Sequence, residues 1–277
     1  MTSPEVAKLS VIIPCYRCAS TIERSVASIA SQTMLPAEVI LVDDKSNDTT
    51  IDKLRQLKDL YKNDWIRIIS LPVNSGPSVA RNAGWDAATQ DYIAFLDADD
   101  SWHEKKIELQ YNWMKKNPGA ALSGHLCAVS KNGELPPKSG IFSLEQLTPK
   151  KITTKQLLLS NKFQTPTVML KREIPFRMDE TRRYSEDYDL WLRIAFNHLN
   201  CYLFNAELAY LYKAAFGDSG LSANLIEIEK GEIANYNNLY RSEKINIIEF
   251  VLATTYSIAK FARRYMMVKS RKLLKAS

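Results

Sequence analysis

Four times between Lys8 and Leu96 an apolar run of strand length gives way to a helical stretch. The runs are Lys8–Pro14, Glu38–Asp43, Ile66–Leu71 and Tyr92–Leu96. Between them, Ile22, Val26 and Ile29 form one helical stripe, and Ile51, Leu54, Leu57 and Tyr61 a second. Val79, Ala80, Ala83 and Ala87 make a third, with a small, close-packing face. Strands that alternate with helices build a mostly parallel sheet covered by helices, so an α/β fold is predicted. Ligands of such sheets bind in the crevice at the carboxyl ends of the strands. The unusual residues fall there each time: Pro14-Cys-Tyr16, Asp43-Asp44, Asn74 to Arg81, and Asp97 to Asp100. Four loops far apart in sequence therefore converge on one crevice.

The fourth of these loops is the most demanding. Asp97, Asp99 and Asp100 occupy three of four consecutive positions. Their carboxylates repel one another, and a fold tolerates that where a cation or several donors compensate. An acidic turn explains one of them easily and three poorly. Oxygen ligands at a strand end suit Mg²⁺ or Mn²⁺, which keep some water and take up the phosphates of a substrate. Neither a G-x-G-x-x-G nor a G-x-x-x-x-G-K-[ST] loop occurs, so a bound nucleotide is held by carboxylates and a metal rather than a glycine cradle. Ser20-x-x-Glu23 and Ser101-x-x-Glu104 both match the capping box, which predicts helix starts at these serines.

Beyond residue 104 the pattern continues. A helix over Glu104–Lys116 stops at Asn117-Pro-Gly119, and strands follow at Ala121–Val129 and Thr167–Lys171, with a helix at Thr153–Ser160 between them. Lys131–Glu134 is predicted as a turn, Leu135–Gly140 as a loop and Lys213–Ser222 as a Gly-rich flap. In Tyr184-Ser-Glu-Asp-Tyr-Asp-Leu-Trp, Ser185 is placed to cap a helix, and Glu186 and Asp187 fill its first turn. Acids there also complement the helix dipole. Helices over about Ala223–Arg241 and Lys244–Leu274 end the chain.

Charge divides the chain unevenly. From Phe250 to Ser277 there is no acid, but there are seven bases: Lys260, Arg263, Arg264, Lys269, Arg271, Lys272 and Lys275. Removing these seven turns the net +6 into −1, so the basicity belongs to the tail. Four cysteines and no secretory signal predict reduced thiols. Cys15-x-x-Cys18 has redox or half-zinc-site spacing, but no second pair completes a zinc site. No stretch of 18 apolar residues predicts a bilayer span.

Ser-Val-Ile-Ile-Pro-Cys-Tyr16, Val-Ile-Leu-Val-Asp-Asp-Lys-Ser-Asn-Asp48, Gly76-Pro-Ser-Val-Ala-Arg-Asn82, Phe95-Leu-Asp-Ala-Asp-Asp100 and Ser185-Glu-Asp-Tyr-Asp-Leu-Trp191 resemble the successive motifs of family 2 inverting glycosyltransferases. Each motif is weak alone; five in order are specific. The resemblance covers roughly Lys8 to Ser222. It implies the GT-A fold, a mixed and mostly parallel sheet flanked by helices, here with a C-terminal helical extension. It implies a catalytic domain over 1–222, with a nucleotide-binding half (1–117) and an acceptor half (118–222). Residues 223–277 lie outside it.

The resemblance also implies roles. A nucleotide-sugar donor, often a UDP-sugar, lies across the strand ends. Pro14 and Tyr16 line the base pocket, and Asp44 hydrogen-bonds the uracil edge. Arg81 lies near the base and diphosphate. Asp97 sits near ribose and metal, and Asp99 ligates Mn²⁺ or Mg²⁺. Asp187 is the catalytic base, in competition with Glu186 at the same helix start. Asp189 ranks last, because a helix turns it about 200° from Asp187. His103 adjoins the acidic stretch, as a further ligand or as a solvated residue. Trp102 and Trp191 are expected in the core. Cys15 stands where the family has a small polar residue. The flap lacks the family's basic, His-containing segment, which leaves Lys213 and Ser222 to cover the diphosphate.

The acceptor implied is a glycan or lipid-linked glycan, in cell-surface polysaccharide or lipopolysaccharide synthesis. An amphipathic basic tail reads equally as a helix that docks on an anionic membrane surface or one that packs on the domain or a partner. The expected site of action is cytoplasmic, peripheral on the inner face of the membrane. No basic–aromatic interleaving supports nucleic-acid binding. The rival readings are a sugar-nucleotide-binding scaffold that has lost activity and a nucleotidyltransferase. The first would lack the acids at 97, 99, 186 and 187. The second would want a Gly-rich basic loop after the first strand, and Cys15-Tyr-Arg-Cys-Ala is not one.

Overall fold

The computed structural model describes residues 5–61, 64–130, 144–212 and 224–276. The predicted turn and loop at 131–140 and the flap with Lys213 and Ser222 lie outside them. The first hundred residues form β1 (Ala7–Cys15), α1 (Ile22–Ala30), β2 (Pro36–Asp43), α2 (Thr50–Leu60), β3 (Ile66–Ser70), α3 (Pro77–Ala87) and β4 (Tyr92–Phe95). Then come β5 (Ser101–Trp102), α4 (Lys106–Lys116), β6 (Ala120–Val129), β7 (Lys150–Ile152), α5 (Thr154–Leu159), β8 (Met169–Lys171), α6 (Glu186–Phe196), β9 (Asn200–Leu211), α7 (Leu225–Arg241) and α8 (Ile247–Ala276).

The strands make one sheet in the order β3-β2-β1-β4-β8-β6-β9-β5, with β7 paired to β9. The first four strands are parallel. β8 runs antiparallel between β4 and β6. β1 is buried on both faces, as parallel strands covered by helices are. Val11 and Ile13 face Ile22 and Val26 of α1, Leu54 of α2 and Ile107 of α4. Ile12 faces the other way, toward Ala80 and Trp85 of α3. Gly84 lets α3 lie close: a Cβ there would stand 2.4 Å from Ile12 Cγ2. That contact brings the N-terminal half of α3, with Arg81, against the strand ends.

Two capping boxes are corrected. α1 starts at Ile22 with no side-chain cap. α4 starts only at Lys106, again without one. Ser101 and Trp102 pair instead with Tyr210 and Ala209 of β9. The Ser101 hydroxyl meets the Tyr212 hydroxyl at 3.0 Å. Sheet pairing supplies backbone partners that a local cap cannot match. Reciprocal caps form instead between Thr153 and Gln156, at the start of α5, and between Asn246 and Glu249, at the start of α8. Ser185 precedes α6 as predicted, but in a left-handed conformation (φ 56°), with its hydroxyl donating to Ile228 O at 3.0 Å rather than capping.

Helix α8 is not detached from the rest. Ser257 and Ala253 are buried, and Lys260 donates to Leu159 O at the end of α5 at 2.8 Å. Arg264 pairs with Glu229 and Glu232 of α7 at 3.0 and 3.1 Å. No helix among the described residues is long and apolar enough to cross a membrane.

Candidate active site

The carboxyl ends of β1, β2 and β4 open into a cleft of about 1150 Å³. Its walls include Pro14, Tyr16, Asp44, Arg81, Asp97, Asp99, Glu186 and Asp187, so these eight predicted site residues border one cavity. Lys260, Arg263 and Arg264 of α8 border it too.

On one side the loops after β1, β2 and β3 are tied together. Asp44 N donates to Cys15 O at 2.8 Å. The Asp44 carboxylate accepts Ser75 N at 2.7 Å and Gly76 N at 2.8 Å. It thus holds the turn before α3, where Gly76 takes a φ of 91° that other residues rarely adopt. Each carboxylate oxygen retains a second lone pair. Asp43 accepts Ser46 N at 3.2 Å, the turn role its position suggested. Tyr16 is 45% exposed and lines the cleft. Cys15 and Cys18 are buried free thiols.

The acidic turn is gripped from α1. Arg24 donates to Asp99 O at 2.5 Å, and Ser25 Oγ to Asp100 O at 2.7 Å. Trp102 N donates to Ser28 Oγ at 3.1 Å. These partners were not legible in the sequence, where α1 showed only its apolar stripe. Burial, and then the charges of Asp97 and Asp99, push Asp100 up to about 8. Burial and mutual repulsion within the turn therefore favour the protonated form of Asp100. Among the described residues no three His, Cys, Asp or Glu side chains converge to hold a metal. A pair of carboxylates that leaves the remaining positions to water and phosphate suits Mg²⁺ or Mn²⁺. His103 is buried, with Nδ1 accepting Lys105 N at 3.2 Å, and is not part of the cleft wall. Trp102 and Trp191 are core residues whose indoles donate to Pro166 O and Phe163 O. His125 is buried as well, and burial holds its imidazole down at about 3.

Arg81 links the two acidic clusters. Its guanidinium donates to Asp97 at 2.7 Å and to Glu186 at 3.1 Å. Burial alone would lower its pKa, but Asp97 and Glu186 outweigh that and raise it. Glu186 is pushed up to about 7 by burial and by the charge of Asp187, against the pull of Arg81. Asp187 is raised by burial, with Arg81 opposing. The two acids differ in access. Glu186 is buried with an oxygen on Arg81, whereas Asp187 is half-buried and opens on the cleft. Thr165 donates to Asp187 Oδ2 at 3.0 Å. Asp189 faces away and pairs with Arg193 at 2.7 Å.

Helix α7 backs the turn that carries Asp187. Asn235 donates to Ser185 O at 3.1 Å, and Arg182 hydrogen-bonds Asn235. Gly231 allows the approach: a Cβ there would lie 2.7 Å from Tyr184 O.

A mixed sheet with an acidic cleft at its parallel strand ends defines a glycosyltransferase of the GT-A fold. The family profile described as "Glycosyl transferase family 2" matches residues 10–177, and the chain belongs to that family. A Haemophilus influenzae protein named as an uncharacterized glycosyltransferase is 28% identical over 88% of this chain and 92% of its own length. The Escherichia coli UDP-Glc:alpha-D-GlcNAc-diphosphoundecaprenol beta-1,3-glucosyltransferase WfgD is 32% identical over 67% of this chain and 69% of its own. Among solved structures, Staphylococcus aureus TarS 1–349 in complex with UDP-GlcNAc superimposes with a TM-score of 0.64 at 18% identity, over 94% of this chain and 72% of that one. The mannosyltransferase PcManGT from Pyrobaculum calidifontis, in complex with GDP-Man and Mn²⁺, gives 0.65 at 14%, over 99% and 83%. At those identities the likeness is one of fold.

Proposed function

We propose that this glycosyltransferase moves a sugar from a UDP-sugar to a hydroxyl of a glycan or lipid-linked glycan, with inversion at the anomeric carbon. The observation that carries the reading is the pairing of a cleft-facing Asp187, oriented by Thr165, with a buried Glu186 held on Arg81. A carboxylate that is open to the cleft, with one oxygen held by the Thr165 hydroxyl at 3.0 Å and the other by Tyr188 N at 2.6 Å, is fixed in aim and keeps lone pairs to receive a proton. One whose lone pair is aimed at a guanidinium is built to position its neighbour. We therefore assign the base to Asp187 and a positioning role to Glu186.

The acceptor oxygen forms a bond to the anomeric carbon as its proton passes to Asp187, which contributes about 10²–10⁴-fold. The bond from that carbon to the donor's phosphate oxygen breaks on the opposite face, and UDP leaves with the electron pair. No acid is needed at the leaving oxygen, unlike in the two-carboxylate hydrolases. Asp99 and Asp97 would hold Mn²⁺ or Mg²⁺, which supplies Lewis-acid neutralisation of the leaving diphosphate. Tyr16 and Pro14 would flank the base, and Asp44 would accept from the uracil edge. In this division 1–117 serves the donor, 118–222 the acceptor, and 223–277 closes the cleft. UDP-Glc and a diphosphoundecaprenol acceptor in the name of the E. coli relative, and UDP-GlcNAc bound to TarS, support the donor and acceptor classes. Mn²⁺ in PcManGT supports the metal. A lipid-linked acceptor places the enzyme peripherally at the cytoplasmic face of the membrane.

The test is thermal stabilisation by a panel of nucleotide-sugars with and without Mn²⁺, followed by transfer assays. Stabilisation by a UDP-sugar that needs Mn²⁺ is expected. Equal stabilisation by every nucleotide, or none, would remove the proposal.

A further inference from the structure

The walls of the cleft are unequal in charge. Beyond Asp187 and Thr165 the wall continues through Gln164, Asn161 and Ser160 to α8. Leu159 O receives Lys260 there, so α8 stands on the side of the base, away from the loops after β1 and β2. Three cations of α8 line this side: Lys260, Arg263 and Arg264. Lys260 lies 3.6 Å from Glu232, and Arg264 spans Glu229 and Glu232. Among the described residues these two carboxylates answer Lys260 and Arg264 and leave one positive charge of α8 at the cleft without a partner. It sits on Arg263, which is exposed and has no carboxylate partner among the described residues. An unpaired guanidinium at a cleft rim fits the fork of a phosphate.

The same helix carries an apolar stripe that runs to this point. Ile248, Leu252 and Tyr256 are spaced four apart and are 67%, 62% and 49% exposed. Arg263 follows two turns later, and Met267 four residues after it, both at the cleft. An exposed apolar row that ends on a free cation at the mouth of an active site matches an amphiphile with an anionic head and a hydrocarbon tail.

We propose that α8 is the acceptor subsite: Arg263 seats the phosphate of a lipid-phosphate-linked acceptor, and the Ile248–Leu252–Tyr256 stripe receives its hydrocarbon chain. The proposal rests on the reading of Asp187 as the base, because that places the acceptor on the α8 side. The phosphate recognised is that of the acceptor itself, not the bulk charge of a membrane.

The probe is farnesyl diphosphate, titrated into the full chain by calorimetry with UDP and Mn²⁺ present so that the donor site is filled. Saturable binding is expected, weakened about tenfold or more in Arg263→Gln, as for loss of one charge-assisted hydrogen bond. Farnesol and inorganic pyrophosphate, each lacking half of the probe, should bind at least tenfold more weakly than farnesyl diphosphate. Leu252→Asp should weaken farnesyl diphosphate but leave pyrophosphate unchanged. UDP affinity should be the same in all variants. If Arg263→Gln binds farnesyl diphosphate normally, or loses UDP instead, Arg263 is not an acceptor residue and the proposal falls. If phosphatidylglycerol vesicles displace farnesyl diphosphate, the helix reads bulk charge and the proposal also falls. If Leu252→Asp alters only the oligomeric state, the stripe is a subunit contact and receives no lipid chain. A wild-type chain that fails to bind UDP would overturn the donor reading rather than the subsite.

Discussion

Arg81 and Glu186 lie 105 positions apart and meet in a buried ion pair at 3.1 Å. The pair joins the second turn of α3 to the first turn of α6, and through Asp97 it reaches the loop after β4. One guanidinium thus sets the spacing between the side of the cleft proposed for the donor and the side that carries the proposed base.

Removing that guanidinium leaves two acids without their cation. Arg81→Met is expected to cost about 3 kcal/mol of stability, the scale for breaking a buried pair. Glu186→Gln in the same chain should return part of it, read as a coupling in a urea-unfolding cycle. Simple additivity would mean that the two side chains do not depend on each other.

The pH dependence of stability follows from Glu186. Its folded pKa, about 7, lies above the ordinary 4.5, so the native state holds this proton more tightly than the unfolded chain. The contribution is full below 4.5 and is lost as pH rises through 7. Glu186→Gln should therefore flatten the stability profile between pH 4.5 and 7.5 and gain on the wild type toward its upper end. Matching slopes in the two proteins would place the proton elsewhere.

Activity should depend on pH in the opposite sense. Asp187 must be ionised to accept a proton, and burial raises its pKa above 3.8. Transfer is expected to fall on the acid side at a pH above the ordinary carboxylate range. Asp187→Asn should bind UDP as the wild type does yet lose at least about 10²-fold in kcat. Near-normal turnover in that variant would move the base to another group.

The acidic turn predicts a split in donor binding. Asp99→Ala should abolish the part of UDP affinity that Mn²⁺ adds and spare the part that Tyr16 and Asp44 provide. Calorimetry with and without Mn²⁺ separates the two, and an undiminished Mn²⁺ effect would count against Asp99 as a ligand.

Gly231 supplies a test far from the chemistry. A methyl group there meets Tyr184 O at 2.7 Å, and backbone cannot swing aside as a side-chain tip can. Gly231→Ala is expected to shift the turn before Asp187 and lower kcat by up to about 10²-fold, with UDP affinity kept. Unchanged kinetics would show that α7 yields instead.

Much of this was readable in the residues. β1 to β4 are apolar runs with clear ends, and the acids that follow them do border one cavity. What was not readable is what depends on distant partners. Ser101-x-x-Glu104 has the letters of a cap, yet β9 claims Ser101 and Trp102 for the sheet. Thr165 and Asp187 are 22 positions apart, with no local signal to join them. The bases of α8 could be counted in sequence, but not sorted. Only the packing against α7 separates Lys260 and Arg264, which answer Glu229 and Glu232, from Arg263, which does not.

The close approach at Gly231 also bears on how the protein is made. Tyr184 and Ser185 emerge from the ribosome well before the helix that braces them. Until α7 has been translated and docked, the turn that leads into Asp187 lacks its contacts with Ile228 and Asn235. The nascent polypeptide therefore completes the bracing of this turn only after 50 further residues have followed it out of the ribosome, the separation between Ser185 and Asn235.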